Sequence, residues 1–205
     1  MTTLEKSYTD RFIHLQGIAN LIEADLKRTL ERLPHIDRIS ARPKSIKSFL
    51  NKAAKIENSR PKYSDPINDI QDQVGARIIV FYLEDVEAVT IEIEKYNQHI
   101  EKRNVVPDSE KEFGYFGKHF IFMLNKELKP MGVDEDELPA VFELQIKTLF
   151  QHAFSEGSHD LAYKPSTRLS KDQQRKVAFT AAQAWGGDKI FQELHDELLG
   201  HAAAQ

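Results

Sequence analysis

The chain has 205 residues, of which 40% are hydrophobic and 29% charged, with a formal net charge of −4. That length can fill one core, and the negative balance excludes a whole-chain field that would draw nucleic acid or an anionic membrane, so phosphate must be met by a local basic cluster. The absence of cysteine removes disulfides, zinc ribbons, iron–sulfur clusters and thiol chemistry.

No apolar run approaches the roughly 18 residues of a membrane span. Residues 1–10 lack the apolar core of a signal peptide. The expectation is a cytoplasmic protein. Ile13, Ile18, Leu21, Ile22, Leu26 and Leu30 recur at near-helical spacing and predict a helix over 8–33, ended by Pro34. A short strand over 36–41 follows. Pro43 then sits where a first helical residue is tolerated, and a helix is expected to run to about residue 56. Residues 58–66 are rich in turn formers. The β-branched run 75–83 reads as a buried strand, and 85–96 has helical spacing.

Residues 100–113 are polar and irregular, an expected loop near the active face. Strands are expected at 118–124 and 140–147, joined by an acidic connection, 131–138. Residues 149–163 read as a helix, and 171–199 as one long helix or two, with Trp185-Gly186-Gly187 as the expected break. The alternation implies an α+β fold: a single mixed β-sheet flanked by helices. The expected organisation is an N-terminal helix (1–35), a core (36–165) and a C-terminal helical extension (166–205) within one compact domain.

Lys44, Ser48 and Lys52 are four apart, with Arg42 just before them. On a helix they line one face, and two ammonium groups and a hydroxyl in a row suit a polyphosphate. The same spacing also describes a solvated basic face. Asp69 and Asp72 stand at the mouth of the strand that begins at Gly75, and Arg77 lies inside it, where it needs a carboxylate or a ligand. Glu143, Gln145 and Lys147 alternate with Phe142, Leu144 and Ile146, which puts the polar three on one face. Gly114-Tyr115-Phe116-Gly117-Lys118-His119 opens a strand. It lacks the spacing of a Walker phosphate loop, and its tyrosine is suited either to stacking on a base or to a half-buried turn.

The order of these segments is more specific than any one of them. Arg-x-Lys-x-x-x-Ser-x-x-x-Lys from Arg42, Asp-x-x-Asp-x-x-Gly-x-Arg from Asp69 and Gly-Tyr-x-x-x-His from Gly114 come first. Glu-x-Gln-x-x-Thr from Glu143 and Glu-x-x-His-Asp-x-x-Tyr-Lys from Glu156 follow. This succession resembles the synthetase domain of RelA/SpoT proteins over about residues 39–164, in the form of a small single-domain alarmone synthetase.

The resemblance implies a nucleotidyltransferase-like domain and a Mg²⁺-dependent pyrophosphokinase that moves the β,γ-pyrophosphate of ATP onto the ribose 3′-hydroxyl of GDP or GTP, making the (p)ppGpp alarmone of the stringent response. It implies ATP contacts from Arg42, Lys44, Ser48, Lys52 and Arg77, and Mg²⁺ at Asp72 with Glu143 completing the metal site or polarising the hydroxyl. Tyr115 would stack on the acceptor base beside His119, Gln145 and Lys147. His159, Tyr163 and Lys164 match the closing motif. The His159-Asp160 pair is not read as the metal centre of an alarmone hydrolase.

Two positions depart from the family: Phe116, where many relatives have a basic residue, and Phe154, where tryptophan is usual. Phe116 keeps open an alternative, a toxin-type relative that pyrophosphorylates the 3′ end of tRNA and is held in check by an antitoxin protein. Lys27, Arg28 and Arg32 would supply its basic patch. A non-enzymatic nucleotide sensor is the third reading. The apolar positions from Val177 to Leu199 would serve packing or the contact of a homo-oligomer.

Overall fold

A computed structural model describes residues 2–97, 99–104, 114, 117–162 and 169–203. Helix α1 (Thr3–Thr29) starts earlier than the apolar spacing predicts. Thr2 and Glu5 form a reciprocal capping box there, Glu5 N–H donating to Thr2 Oγ1 at 3.2 Å and Thr2 N–H to Glu5 Oε2 at 3.3 Å. The buried stripe of α1 is Tyr8, Leu15, Ile18, Ala19, Ile22 and Leu26, while Ile13 faces solvent.

Strand β1 (Ile36–Pro43) takes up Pro43 as its last residue, and α2 (Ile46–Ala53) begins only after Ser45, whose hydroxyl accepts from Ser48 N–H at 3.3 Å. Lys44 therefore precedes the helix that carries Ser48 and Lys52. A small hairpin of β2 (Ile56–Glu57) and β3 (Arg60–Pro61) and a single turn, α3 (Pro66–Asp69), lead through Asp72 into β4 (Val74–Val80).

Helix α4 (Leu83–Glu94) is followed by β5 (His99–Asn104). A loop was expected from residue 100, but His99–Asn104 pairs antiparallel with β6 (Lys118–Met123), its polar side chains lying at a sheet edge. Strand β7 (Val141–Thr148) passes directly into α5 (Leu149–Ala162), and α6 (Lys171–Ala203) is one unbroken helix. The expected break at Gly186-Gly187 is absent because the glycine serves packing. A Cβ on Gly187 would lie 2.8 Å from the Phe150 ring, so its hydrogen lets α5 and α6 approach.

The five-stranded sheet has the order β1-β4-β7-β6-β5. Only the central β4–β7 pair is parallel; the other neighbours are antiparallel. Strict alternation gives it two unlike faces. One carries Ala76, Ile78, Leu144, Ile146, Phe120 and Phe122, which join the α1 stripe and Val86, Val89 and Ile93 of α4 in one core. The other face carries Arg77, His119, Glu143, Gln145 and Lys147. A smaller cluster, Phe154, Ala181 and Ala184, ties α5 to α6.

Candidate active site

Strand register assembles the polar face in rows. Arg42 of β1 stands opposite Gly75 of β4, Gly75 opposite Glu143 of β7, and Glu143 opposite Ile121 of β6. The next row is Ser40, Arg77, Gln145, His119 and Arg103. Gly75 leaves a gap between Arg42 and Glu143, since a Cβ built on it would meet no atom within 4 Å.

Asp72 occupies the turn before β4 with φ −94° and ψ 36°. Its Oδ2 lies 3.0 Å from Lys44 Nζ and 2.9 Å from Lys52 Nζ. The two outer members of the basic ladder thus converge on one carboxylate oxygen, one from the end of β1 and one from α2. Burial pushes the Asp72 carboxyl up, but the hydrogen bond and charge of Lys52 and Lys44 outweigh it and leave it below the ordinary aspartate range. Ser48 accepts a hydrogen bond from the Ser45 hydroxyl at 2.9 Å.

Glu143 sits between two polar neighbours. Its Oε1 is 3.2 Å from His119 Nδ1, and its Oε2 accepts from Gln145 Nε2 at 3.1 Å. Burial raises this carboxyl too, and the His119 contact reverses the effect, so it also lies below its ordinary range. The Asp72 charge acts on Glu143 in the opposite, raising direction, so the two carboxylates share one electrostatic neighbourhood.

Asp72 Oδ1, His119 Nε2 and Gln145 Oε1 are buried without a hydrogen-bond partner among the described residues. Buried polar atoms are ordinarily paired; two of these three sit on the side chains that bond Glu143, and the third on the carboxylate whose charge reaches it, so together they offer a bound ligand three polar atoms to meet. The donor set also fits a hard divalent cation. Asp72 has one oxygen unpartnered among the described residues and Glu143 is the second carboxylate nearby; one or two carboxylates are a typical protein share of a Mg²⁺ site, whose other positions go to water and substrate phosphates. Among the described residues, Glu84 of α4 with His195 and Asp196 of α6 form a different group of three potential metal ligands, and it contains none of the residues above.

Helix α5 roofs the far end of the polar face. Thr148 and Gln151 form its capping box: Gln151 N–H donates to Thr148 Oγ1 at 3.1 Å and Thr148 N–H to Gln151 Oε1 at 3.0 Å. The Thr148 hydroxyl donates in turn to Asp188 Oδ2 of α6 at 2.6 Å. The helix brings Glu156 Oε1 to 2.8 Å from Arg77 Nη1, with His152 Nδ1 at 3.3 Å from the same nitrogen. The carboxylate partner of Arg77 is thus neither aspartate of the preceding loop. Lys147 lies buried beneath this roof and donates to Ser155 Oγ at 3.0 Å. Burial, assisted by the Arg77 charge, pulls its ammonium down to about 8.

Asp72, Lys44, Lys52, Arg42 and Glu143 are therefore gathered at one end of the polar face, His119 and Gln145 reach Glu143 from the row they share with Arg77, and Arg77 and Lys147 stand under α5. His159 lies on the exposed last turn of α5. Tyr115, Phe116, Tyr163 and Lys164 lie outside the described residues. Sequence reasoning gave no role to Thr148, Gln151, Ser155 or Glu156, although the Thr-x-x-Gln spacing at the end of β7 is itself a helix-start signal. Of the proposed RNA patch, Lys27 pairs with Glu23 at 2.6 Å and Arg28 with Asp25. Arg28 and Arg32 line a cavity of about 560 Å³ together with Asp25, Glu31, Glu92 and Glu127, an acidic majority.

Residues 41–168, more than half of the chain, match the family described as the region found in RelA/SpoT proteins. The GTP pyrophosphokinase YjbM of Bacillus subtilis is 25% identical over 194 residues, covering 94% of this chain and 85% of that protein. A GTP pyrophosphokinase family protein from Streptococcus pneumoniae superposes with a TM-score of 0.75 at 22% identity, over 100% of this chain and 99% of the other. The small alarmone synthetase 1 of Bacillus subtilis, bound to its product pppGpp, gives a TM-score of 0.75 at 22% identity, over 94% and 98%. With the motif order, the two-faced sheet and the family match in agreement, this chain belongs to the RelA/SpoT family.

Proposed function

We propose that the chain is a Mg²⁺-dependent pyrophosphokinase that transfers the β,γ-pyrophosphate of ATP to the 3′-hydroxyl of GDP or GTP and acts in the cytoplasm. The single observation that carries this reading is the cluster of unmet buried polar atoms around Glu143, beside a carboxylate held by two lysines. Among the described residues, no helix is long and apolar enough to cross a membrane. The similar pyrophosphokinase and the similar synthetase bound to pppGpp support the choice of a guanine nucleotide as acceptor.

In this reading Lys44, Ser48 and Lys52 take the ATP phosphates, and Arg42 and Arg77 lie near the adenine. Asp72, with Glu143, would hold the Mg²⁺, which supplies charge neutralisation to the phosphates when bound. Glu143 also stands ready to accept the proton of the ribose hydroxyl, ionised and oriented by His119 and Gln145. The 3′-oxygen forms its bond to the β-phosphorus as the bond from that phosphorus to the α-bridging oxygen breaks, and AMP leaves with the electron pair. Tyr115 stacks on the acceptor base, and Lys147 steadies the acceptor from beneath α5.

The test is turnover of γ-labelled ATP with GDP, GTP and bulk tRNA offered separately, with Glu143→Gln as control. Labelled guanosine tetra- or pentaphosphate, lost in the control, is the expected result. Label appearing only on tRNA would establish the toxin-type alternative, and ATP binding without turnover on any acceptor would leave a sensor.

A further inference from the structure

The proposed mechanism needs Asp72 and Lys44 side by side, one toward the metal and one toward the phosphates, yet they come from a turn and a strand end, neither stiff by itself. Gln73, next to Asp72, is almost fully buried, at 1% exposure. Its carboxamide donates to Ile67 O at 2.7 Å and Ile70 O at 3.0 Å and accepts from Arg11 Nη1 at 3.3 Å. Its main-chain carbonyl accepts the Lys44 N–H at 2.8 Å. The carbonyl of Lys44 in turn accepts from the Tyr8 hydroxyl at 2.8 Å, and the Tyr8 ring stacks on Phe49 of α2 with centroids 3.7 Å apart. The peptide unit on each side of Lys44 is therefore tied down, one through Gln73 and one through α1.

Arg11 is the odd member. It lies on the buried stripe of α1 between Tyr8 and Leu15, 7% exposed, and its hydrogen bonds go to neutral acceptors: Ile67 O at 3.0 Å, Gln73 Oε1 and Asp136 O at 3.0 Å. Burial lowers its guanidinium affinity for a proton, with Asp65, Tyr8 and Glu137 acting against that from a distance. A buried cation hydrogen-bonded to carbonyls is a poor way to stabilise a core, where an apolar side chain of similar volume does as well or better. It is a good way to fix three chain segments against one another, because the planar fork has set directions.

We infer that Arg11, Gln73 and Tyr8 are positioning residues, a clamp reaching through the sheet's helix-covered side that sets Asp72 against Lys44. The inference rests on the pyrophosphokinase reading for its kinetic consequence but not for its structural one. Arg11→Met and Gln73→Met keep side-chain volume and remove the fork or the amide; Tyr8→Phe removes one hydroxyl and leaves the stacked ring.

In the full-length protein, kcat is expected to fall about 30- to 100-fold in the two methionine variants and about 3- to 10-fold in Tyr8→Phe, with the KM for ATP rising less than about fivefold. Melting temperatures should stay within about 3 °C of wild type for Tyr8→Phe and fall further, by up to about 10 °C, for the methionine variants, whose buried partners lose a hydrogen bond, so rates are compared well below every transition. Backbone amides of residues 70–74 should exchange faster in all three variants while the β6 and β7 amides keep their protection. Unchanged exchange at 70–74, or a kcat within about twofold of wild type in every variant, would overturn the clamp. So would a loss of rate that only tracks the unfolded fraction. Should wild type turn over no acceptor, the functional reading fails, and the exchange measurement still decides whether the clamp exists.

Discussion

Asp72 divides its carboxylate: its Oδ2 holds Lys44 and Lys52, and its Oδ1 has no hydrogen-bond partner among the described residues. Without nucleotide the lysines are neutralised from within, and Mg·ATP would replace both sides of that arrangement at once, cation for Asp72 and anion for the lysines. Asp72→Asn should therefore lower turnover by at least about 10³-fold yet tighten ATP binding in the presence of a chelator, measured by calorimetry. Weaker metal-free binding would show that the lysines do not face phosphate.

The pH dependence has opposite signs for the carboxylates and Lys147. Asp72 and Glu143 titrate below their ordinary values, so between folded and unfolded pKa the unfolded chain binds more protons. Their contribution to stability is present above the ordinary carboxylate range and is lost as pH falls through the folded values. Lys147 is also depressed, from 10.5 to about 8, which for a cation is a cost. That cost is fully present below about 8 and is relieved as pH rises toward 10.5. Lys147→Met should then stabilise the protein by about 2 kcal/mol at neutral pH, after subtracting the lost Ser155 bond, with the gain vanishing in strongly alkaline denaturation curves. A loss of stability at neutral pH would contradict this.

At the scale of elements, the handover from β7 to α5 is governed by Thr148. One hydroxyl accepts from Gln151 and donates to Asp188, so the roof over Arg77 and Lys147 and the long C-terminal helix are tied at a single atom. Thr148→Val keeps the shape, and it should cost about 1–2 kcal/mol in chemical denaturation through the lost cap and the lost hydrogen bond to Asp188. Thr148→Ser should recover most of it.

Legibility of elements followed the same local chemistry. Period-two alternation at Phe142 to Lys147 marked a two-faced strand correctly because side-chain direction in a strand is fixed by geometry alone. The start of α1 was missed because Thr2 and Glu5 are polar and apolar spacing does not register caps. The polar stretch from residue 100 reads as loop although β5 runs through residues 99–104, because an edge strand buries little and displays charge. At the site, motif order exposed Asp72, Glu143 and the lysines. The Arg77–Glu156 pair joins residues 79 apart, and no spacing rule connects positions that only the folded sheet brings together.

Over the whole molecule, the sheet divides labour. The face under α1 and α4 holds the main core, and the opposite face holds the cations, carboxylates and amides. Most of the apolar core and the polar cluster thus occupy different sides of the same strands, with the proposed Arg11–Gln73–Tyr8 clamp as a link between the sides. Gly75 shows what this separation permits. It lies in a central strand, where glycine is the weakest choice, and the space above it is open. A valine there would suit the pleated backbone and touch no neighbour through its Cβ, while its methyl groups fill the space between Arg42 and Glu143. Gly75→Val is expected to melt higher than wild type, by a few degrees for about 1 kcal/mol, and to make no product. Gly75 keeps this stretch of the polar face open at the expense of strand stability, and filling it should yield a sturdier, inert protein.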